Sequence, residues 1–304
     1  MANGIQPNIH PFFEPNTCSW QYVVACPKTK EAAIIDPTLN YKPEGFLITT
    51  EAADKLIKCV LDNGYTVTML LETHIHGGHL SAVYYIQQTL WSRGHTHAQI
   101  CMGENVKVMQ SHFAHKFHIP KEELYNAFDH LFEQDETFNI GELTGIAIYL
   151  PGHTQDHILY KIEGNIFTGD SIARPDVHSE RCDFPGGNHR ELFRSMKQIL
   201  DFPPPTKLYA GHDYPPPNEE VTRNPFPYVT ISEREEQKKE ARDDVAEDEF
   251  VKWRTERDKV MPEPTLVHQA PQINVRGGKL PGKSHEGKGY LLYVINVPKV
   301  LLGG

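Results

Sequence analysis

The sequence predicts an α+β fold whose chemistry gathers at the ends of strands. Three observations lead there. Apolar, β-branched runs of strand length alternate with helical segments through the first third of the chain. Short strand-like runs joined by Gly- and Pro-marked turns follow from Thr137 onward. Histidines, and one aspartate, recur just past the ends of such runs.

Taken in order, the first 20 residues are expected to cover a sheet edge. Gln21 to Cys26 and Ala32 to Asp36 read as a hairpin around Pro27-Lys28-Thr29-Lys30, closed by Asp36-Pro37. A helix is expected from Thr50. Thr50 can cap it, Glu51 and Asp54 suit its positive first turn, Leu56, Ile57, Val60 and Leu61 share a face, and Gly64 stops it. Tyr65 to Leu71 reads as a buried strand, and it delivers Glu72-Thr73-His74-Ile75-His76-Gly77-Gly78-His79 onto a turn. Imidazoles at a strand's carboxyl end point into open space, and neutral imidazole is the commonest transition-metal ligand. Leu80 to Ile86 reads as the next helix and Ala98 to Met102 as the next strand.

Residues 104 to 133 carry His112, His115, His118 and His130 at no metal-binding spacing, so these read as surface and core-edge histidines. Thr137 to Ile140 and Gly145 to Leu150 predict a hairpin delivering Pro151-Gly152-His153-Thr154. His157 to Ile162 and Asn165 to Thr168 predict two strands, the second ending in Thr168-Gly169-Asp170. Lys207 to Ala210 reads as the final strand, ending in Gly211-His212-Asp213-Tyr214. Beyond it, Pro215-Pro216-Pro217 and Asn224-Pro225-Phe226-Pro227 read as a stiff irregular segment. Ser232 to Asp258 is a charge run expected to form a solvated helix docked by its later turns. Leu266 to Leu280 and Gly289 to Leu302 form a Gly- and Pro-rich tail.

Composition narrows the function. The chain has 304 residues, 39% of them hydrophobic, which suffices for a packed core. A formal charge of -10 argues against nucleic-acid binding, because phosphate contacts need clustered Lys and Arg. With no run of about 18 apolar residues and no secretory pattern at Met1 to Pro7, the expectation is a cytoplasmic protein that does not enter membranes. Cys18, Cys26, Cys59, Cys101 and Cys182 are odd in number and unpaired by spacing, as reduced thiols would be.

The set His74 and His76, His153, Asp170 and His212, each after a strand, resembles the metallo-β-lactamase superfamily from about Gln21 to Tyr214. The resemblance implies a four-layer αββα sandwich, with residues 1–214 as the catalytic domain and 215–304 as an insertion, charged helix and tail packed on it. It further implies one metal site from His74, His76, His153 and Asp170, and a second from His79 and His212 sharing Asp170. Within the superfamily the chain looks most like persulfide dioxygenases and their hydrolase-like relatives. The supporting residues are Glu72-Thr73-His74, Asp170, Arg181-Cys182-Asp183-Phe184-Pro185-Gly186-Gly187, His212-Asp213-Tyr214 and the tail Gln272-Ile273-Asn274-Val275-Arg276-Gly277-Gly278.

One position departs from the family pattern. Gly78 stands where the family has aspartate. Glycine brings no ligand atom, so the second site is expected to be weak or empty and one metal to be strongly bound. Two chemistries follow as expectations. A zinc ion would lower the pKa of water toward about 7 and polarise a carbonyl, suiting hydrolysis of a small lactam, cyclic carbamate, lactone or (thio)ester. This expectation leans on a resemblance to fungal lactamase-like members associated with detoxification, which open small cyclic amides or carbamates. Alternatively, His74, His153 and Asp170 would hold ferrous iron for oxidation of glutathione persulfide. A metal-dead binding protein is the third expectation. Arg181 and Asp183 match positions near the family's pocket, where Arg181 would hold a substrate carbonyl or carboxylate unless the two simply pair. Cys182 lacks an activating base and reads as a buried small residue. The expected partner is a small-molecule substrate, with homo-oligomer formation left open.

Overall fold

Tyr22 and Val23 are consecutive on one strand yet pack into different cores, because strand side chains alternate between faces. The same alternation on a second sheet produces a layered molecule. The structure is a computed structural model describing residues 5–172, 181–214, 223–236, 245–282 and 290–293.

The first half of the chain supplies β1 (Asn8–Glu14), β2 (Ser19–Ala25), β3 (Glu31–Ile35), β4 (Thr38–Lys42), β5 (Leu47–Thr49), α1 (Glu51–Asn63), β6 (Thr66–Leu71), β7 (Leu80–Ser81), α2 (Val83–Ser92), β8 (Gln99–Gly103), α3 (Val106–Phe117), α4 (Lys121–Leu124) and β9 (His130–Phe132). One sheet runs β1-β2-β3-β6-β8-β9, antiparallel at first and parallel from β3 onward. The second half supplies β10 (Glu136–Ile140), β11 (Leu143–Tyr149), β12 (Ile158–Ile162), β13 (Asn165–Gly169), α5 (His189–Leu200), β14 (Lys207–Ala210), β15 (Tyr228–Thr230), α6 (Ile231–Glu236), α7 (Glu247–Asp258) and α8 (Ala270–Asn274). Strands β10 to β15 form the other large sheet in sequence order, and β5-β4-β7 make a small third one.

Between the large sheets lies an aromatic core that includes Tyr22, Phe132, Phe138, Tyr160 and Phe167. Each such side chain contributes roughly 1.5–3 kcal/mol by leaving water. Leu56, Val60, Ile86, Leu90 and Ile273 of α1, α2 and α8 cover the first sheet's outer face. Leu192, Met196, Ile199 and Phe250 of α5 and α7 cover Ile148, Leu159, Ile166 and Leu208 on the second. The result is the αββα sandwich.

Several elements differ from the sequence expectation. Residues 8–14 form β1, an edge strand paired with β2. Gly64 ends α1 in the left-handed region at φ 62°, but Thr50 does not cap it, since its hydroxyl donates to Asp54 instead. Leu80 and Ser81 are not helical. Pairing with Thr38 and Leu39 draws them into β7, and the helix starts at Val83. Nor is β14 the final strand: β15 pairs with it just after the Pro-marked stretch. Helix α5 was not marked at all, although the Asn188 side chain caps it by accepting from the Arg190 and Glu191 N–H groups.

The charge run forms α6 and α7, and α7 buries Phe250, Arg254 and Asp258, spaced four apart along one face. The stretches 215–222, 237–244, 283–289 and 294–304, which include Pro215 to Pro217 and much of the tail, lie outside the described residues. No disulfide joins any of the five cysteines, and among the described residues no helix is long and apolar enough to cross a membrane.

Candidate metal centre

Strand β6 lies in the middle of its sheet, so the chain beyond Leu71 emerges at the sheet's carboxyl edge, above the join with the second sheet. Two hydrogen bonds stitch that join: the Ile158 N–H donates to the Thr73 carbonyl at 2.9 Å, and the Tyr160 hydroxyl to the Glu72 carbonyl at 2.8 Å. Gly169 brings Asp170 into the same place. Its φ is +49°, and a Cβ there would stand 2.5 Å from Thr73 Oγ1 and 2.7 Å from His157 Nε2, so only glycine fits the approach.

Hydrogen bonds decide which nitrogen each imidazole leaves open. The Thr73 hydroxyl donates to Asp36 Oδ2 at 2.9 Å and therefore accepts from His74 Nδ1–H at 3.0 Å, which leaves the lone pair on His74 Nε2. Asp36 Oδ1 accepts from His76 Nε2–H at 3.1 Å, which leaves the lone pair of that ring to Nδ1. The Arg181 carbonyl accepts from His153 Nδ1–H at 2.6 Å, leaving Nε2. Asp170 Oδ2 stands 3.5 Å from His74 Nε2 and 3.7 Å from His153 Nε2. His74, His76 and Asp170 can each place a donor atom within 4.8 Å of the others.

His74 Nε2 and His76 Nδ1 are buried without a hydrogen-bond partner. Each such orphan costs about 1–3 kcal/mol unless something takes its lone pair. A cation does so, and the donor set of imidazole nitrogens with one carboxylate fits one.

The electrostatics favour the same occupant. Burial would raise the Asp170 carboxyl pKa, but His212 and His74 outweigh it and hold the group well below the usual carboxylate range. Burial lowers His74 well below the ordinary imidazole value and also lowers His153, so both rings are neutral ligands at neutral pH. His76 differs. Burial pushes it down, yet the facing carboxylates of Asp36 and Glu72 prevail and raise it to about 10.

The remaining expected residues separate into groups. His79 is buried, with its ring 3.8 Å from that of His76, and neither of its nitrogens has a hydrogen-bond partner. His212 Nδ1–H donates to Asp170 Oδ1 at 2.7 Å, which engages the oxygen not facing His74. A Cβ on Gly78 would stand 3.3 Å from His212 Nε2, closer than an ordinary contact, so a carboxylate at this position fits if the His212 ring gives by a few tenths of an ångström. Arg181 and Asp183 pair with each other, and Arg181 Nη1 also donates to the Pro262 carbonyl. Asp183 is thus a partner of Arg181, and among the described residues no hydrogen bond joins it to the histidines. Cys182, His189 and Asp258 also cluster. Asp258 there accepts from Cys182 N–H, His189 and Arg254, a carboxylate already satisfied by donors. Among the described residues, His112, His115, His118 and His130 join no such cluster.

A cavity of about 660 Å³ opens over His153, Asp170 and His212, a volume suited to a small molecule. Lys42 and Arg181 bring charge to its lining, while Phe184, Tyr214 and Met261 bring apolar surface.

Sequence reasoning missed three supports. Asp36 orients His74 through Thr73 and His76 directly. His157, kept neutral by burial with its pKa pushed down to about 3, accepts the Asp170 N–H at Nε2. Asp156 accepts the Ile75 N–H within the metal turn. Asp36 follows a strand just as Asp170 does, so the same positional signal marked it.

The family model for the metallo-β-lactamase superfamily matches residues 19–212. Glyoxylase B2 of Dictyostelium discoideum is 37% identical, the match covering 98% of this chain and 100% of that protein. A probable metallo-hydrolase of Burkholderia pseudomallei is 34% identical over 92% of this chain and 96% of its own. A beta-lactamase hydrolase-like protein of Xylella fastidiosa is 36% identical over 95% of this chain, which spans only 65% of that relative. The crystal structure of ETHE1 from Myxococcus xanthus superposes with a TM-score of 0.69 at 22% identity, over 90% of this chain and 100% of that one, a likeness of fold.

Proposed function

Because the chain belongs to the metallo-β-lactamase superfamily, we propose that it is a hydrolase with one strongly held zinc ion, opening a small lactam, cyclic carbamate, lactone or (thio)ester, as in detoxification of foreign compounds. The observation that carries this reading is the convergence of ring nitrogens without a hydrogen-bond partner on His74 and His76, with His153 and ionised Asp170 beside them. A donor set of three imidazoles and a carboxylate suits zinc, which when bound supplies Lewis acidity and lowers the pKa of water toward about 7.

The chain's own residues do the rest. Asp170 lines the cavity and, being ionised, orients the attacking water. Arg181 is anchored by Asp183 and Pro262 through three of its five N–H donors, leaving two for a substrate carbonyl or carboxylate. Phe184, Tyr214 and Met261 exclude water from the ring being opened. Free thiols throughout accord with work in a reducing compartment, the cytoplasm.

A second reading, an iron dioxygenase acting on glutathione persulfide, is favoured by the pairing of Asp170 Oδ1 with His212 and the bare Gly78. Together these leave His74, His153 and Asp170 as a two-histidine, one-carboxylate face. Metal analysis of purified protein, with assays of lactones, lactams, thioesters and persulfides on zinc- and iron-loaded samples, decides. Zinc near one per chain with ring opening or ester cleavage is expected. Iron with oxygen consumption on the persulfide would replace the hydrolase by the dioxygenase, and no metal at all would leave a binding protein.

A further inference from the structure

Asn274 lies 193 residues beyond Ser81, yet its amide is built into the metal turn. Its Nδ2 donates to the His76 carbonyl and to the His79 carbonyl, each at 3.0 Å, and its Oδ1 accepts the Ser81 N–H at 2.8 Å. The amide orientation is fixed by this set, because the reverse assignment would set an oxygen against two carbonyls and a donor against an N–H. The side chain is 4% exposed.

The two carbonyls flank Gly77 and Gly78. Consecutive glycines give the backbone its greatest freedom, here between His76 and His79. A Cβ on residue 77 would meet the Phe184 ring at 2.7 Å, so that freedom cannot be removed in place by a larger residue. We propose that Asn274 is a positioning residue of the metal centre: by clamping the carbonyls on either side of the glycine pair it holds His76, and with it the metal turn, in the geometry that a bound ion requires.

The anchor for this clamp is independent of the turn. Ala270 and Ile273 sit in the core under α1 and α2. Gln272 exchanges hydrogen bonds with the Leu292 backbone, Arg276 pairs with Glu123, and Gln110 donates to the Val275 carbonyl. Helix α8 therefore stays docked when one amide is removed.

The inference rests on the metal-dependent reading, and the test separates the two. Zinc affinity is measured by chelator competition, alongside the visible spectrum of the cobalt-substituted protein and metal-free melting, for parent, Asn274→Ala and Gln272→Ala. Asn274→Ala is expected to lose about tenfold or more in zinc affinity, with altered cobalt bands and a folded metal-free state. Gln272→Ala, which loosens the tail without touching the turn, is expected to melt earlier while keeping parental affinity and spectrum. If Asn274→Ala does not fold, Asn274→Asp, which keeps the acceptor for Ser81 but has no donor for the carbonyls, is expected to show the same loss. Parental affinity and spectrum in the Asn274 variant, or equal loss in Gln272→Ala, would overturn the positioning role. A parent protein that binds no metal would sink the metal-dependent reading itself.

Discussion

His74, His76 and His153 each commit one ring nitrogen to a hydrogen bond, with Thr73, Asp36 or the Arg181 carbonyl, whereas His79, just past the glycine pair, has a partner at neither. Both regions are buried and rich in imidazole. They differ in whether a tautomer has been selected and in how the nearby carboxylates are engaged, since Glu72, which clusters with His79, already faces His76. Around the first three rings Thr73, Asp36 and the Arg181 carbonyl select the tautomers while Asp36 and Asp170 supply charge, whereas beside His79 Gly78 adds none. Counting histidines therefore does not by itself count metal sites, since a ligand binds in proportion to how well its own surroundings prepare it.

Substitutions that erase or extend this contrast test it. The largest effect is expected from His74→Ala or Asp170→Asn, which remove a donor outright. Hydrolysis should fall by roughly 10³-fold or more, with metal lost on gel filtration, and variants that keep their metal and turnover would refute the first site. Next comes Asp36→Asn. It presents an NH₂ where a carboxylate accepts from Thr73 and His76. Zinc affinity at pH 8 should drop about 10–100-fold by chelator competition.

The same carboxylate sets a pH signature. His76 stands at about 10 in the metal-free protein, so at pH 8 it is protonated and must release that proton as Nδ1 takes the ion. Uptake weakens as pH falls, and close to one proton per metal should appear in a lightly buffered indicator assay, with fewer in Asp36→Asn. The smallest change in first-site behaviour is expected from Gly78→Asp. Its carboxylate would enter beside His212 and Tyr214, raising metal content from about one toward two per chain. Unchanged stoichiometry would show that charge was not what His79 and His212 lacked.

The strand-end histidines were legible because each follows an apolar run that can only be a buried strand, and the hairpins around Pro27–Lys30 and Gly141–Glu142 were marked by their turns. Other parts were not. Leu80 and Ser81 look helical in isolation, and only pairing with Thr38 and Leu39 extends them. Asp36 precedes a proline and reads as a strand stop, while its role comes from the crossover that sets β3 beside β6. Asn274 carried a family signal but no local one, since its partners lie nearly two hundred residues away. Helix α5 is a different case. The cap at Asn188 and the apolar spacing of Leu192, Met196 and Ile199 were present to be read.

Part of the cavity wall, Met261, Pro262 and Leu266, comes from far along the chain. A ribosome that has released residues 19–212 has delivered every proposed ligand but not this wall. At that stage the nascent polypeptide lacks both the chamber wall and Asn274, whose amide holds the metal turn. A tight grip on the ion and an enclosed chamber then arrive together, with the last segment to leave the ribosome, and that segment sets when the molecule's working life begins.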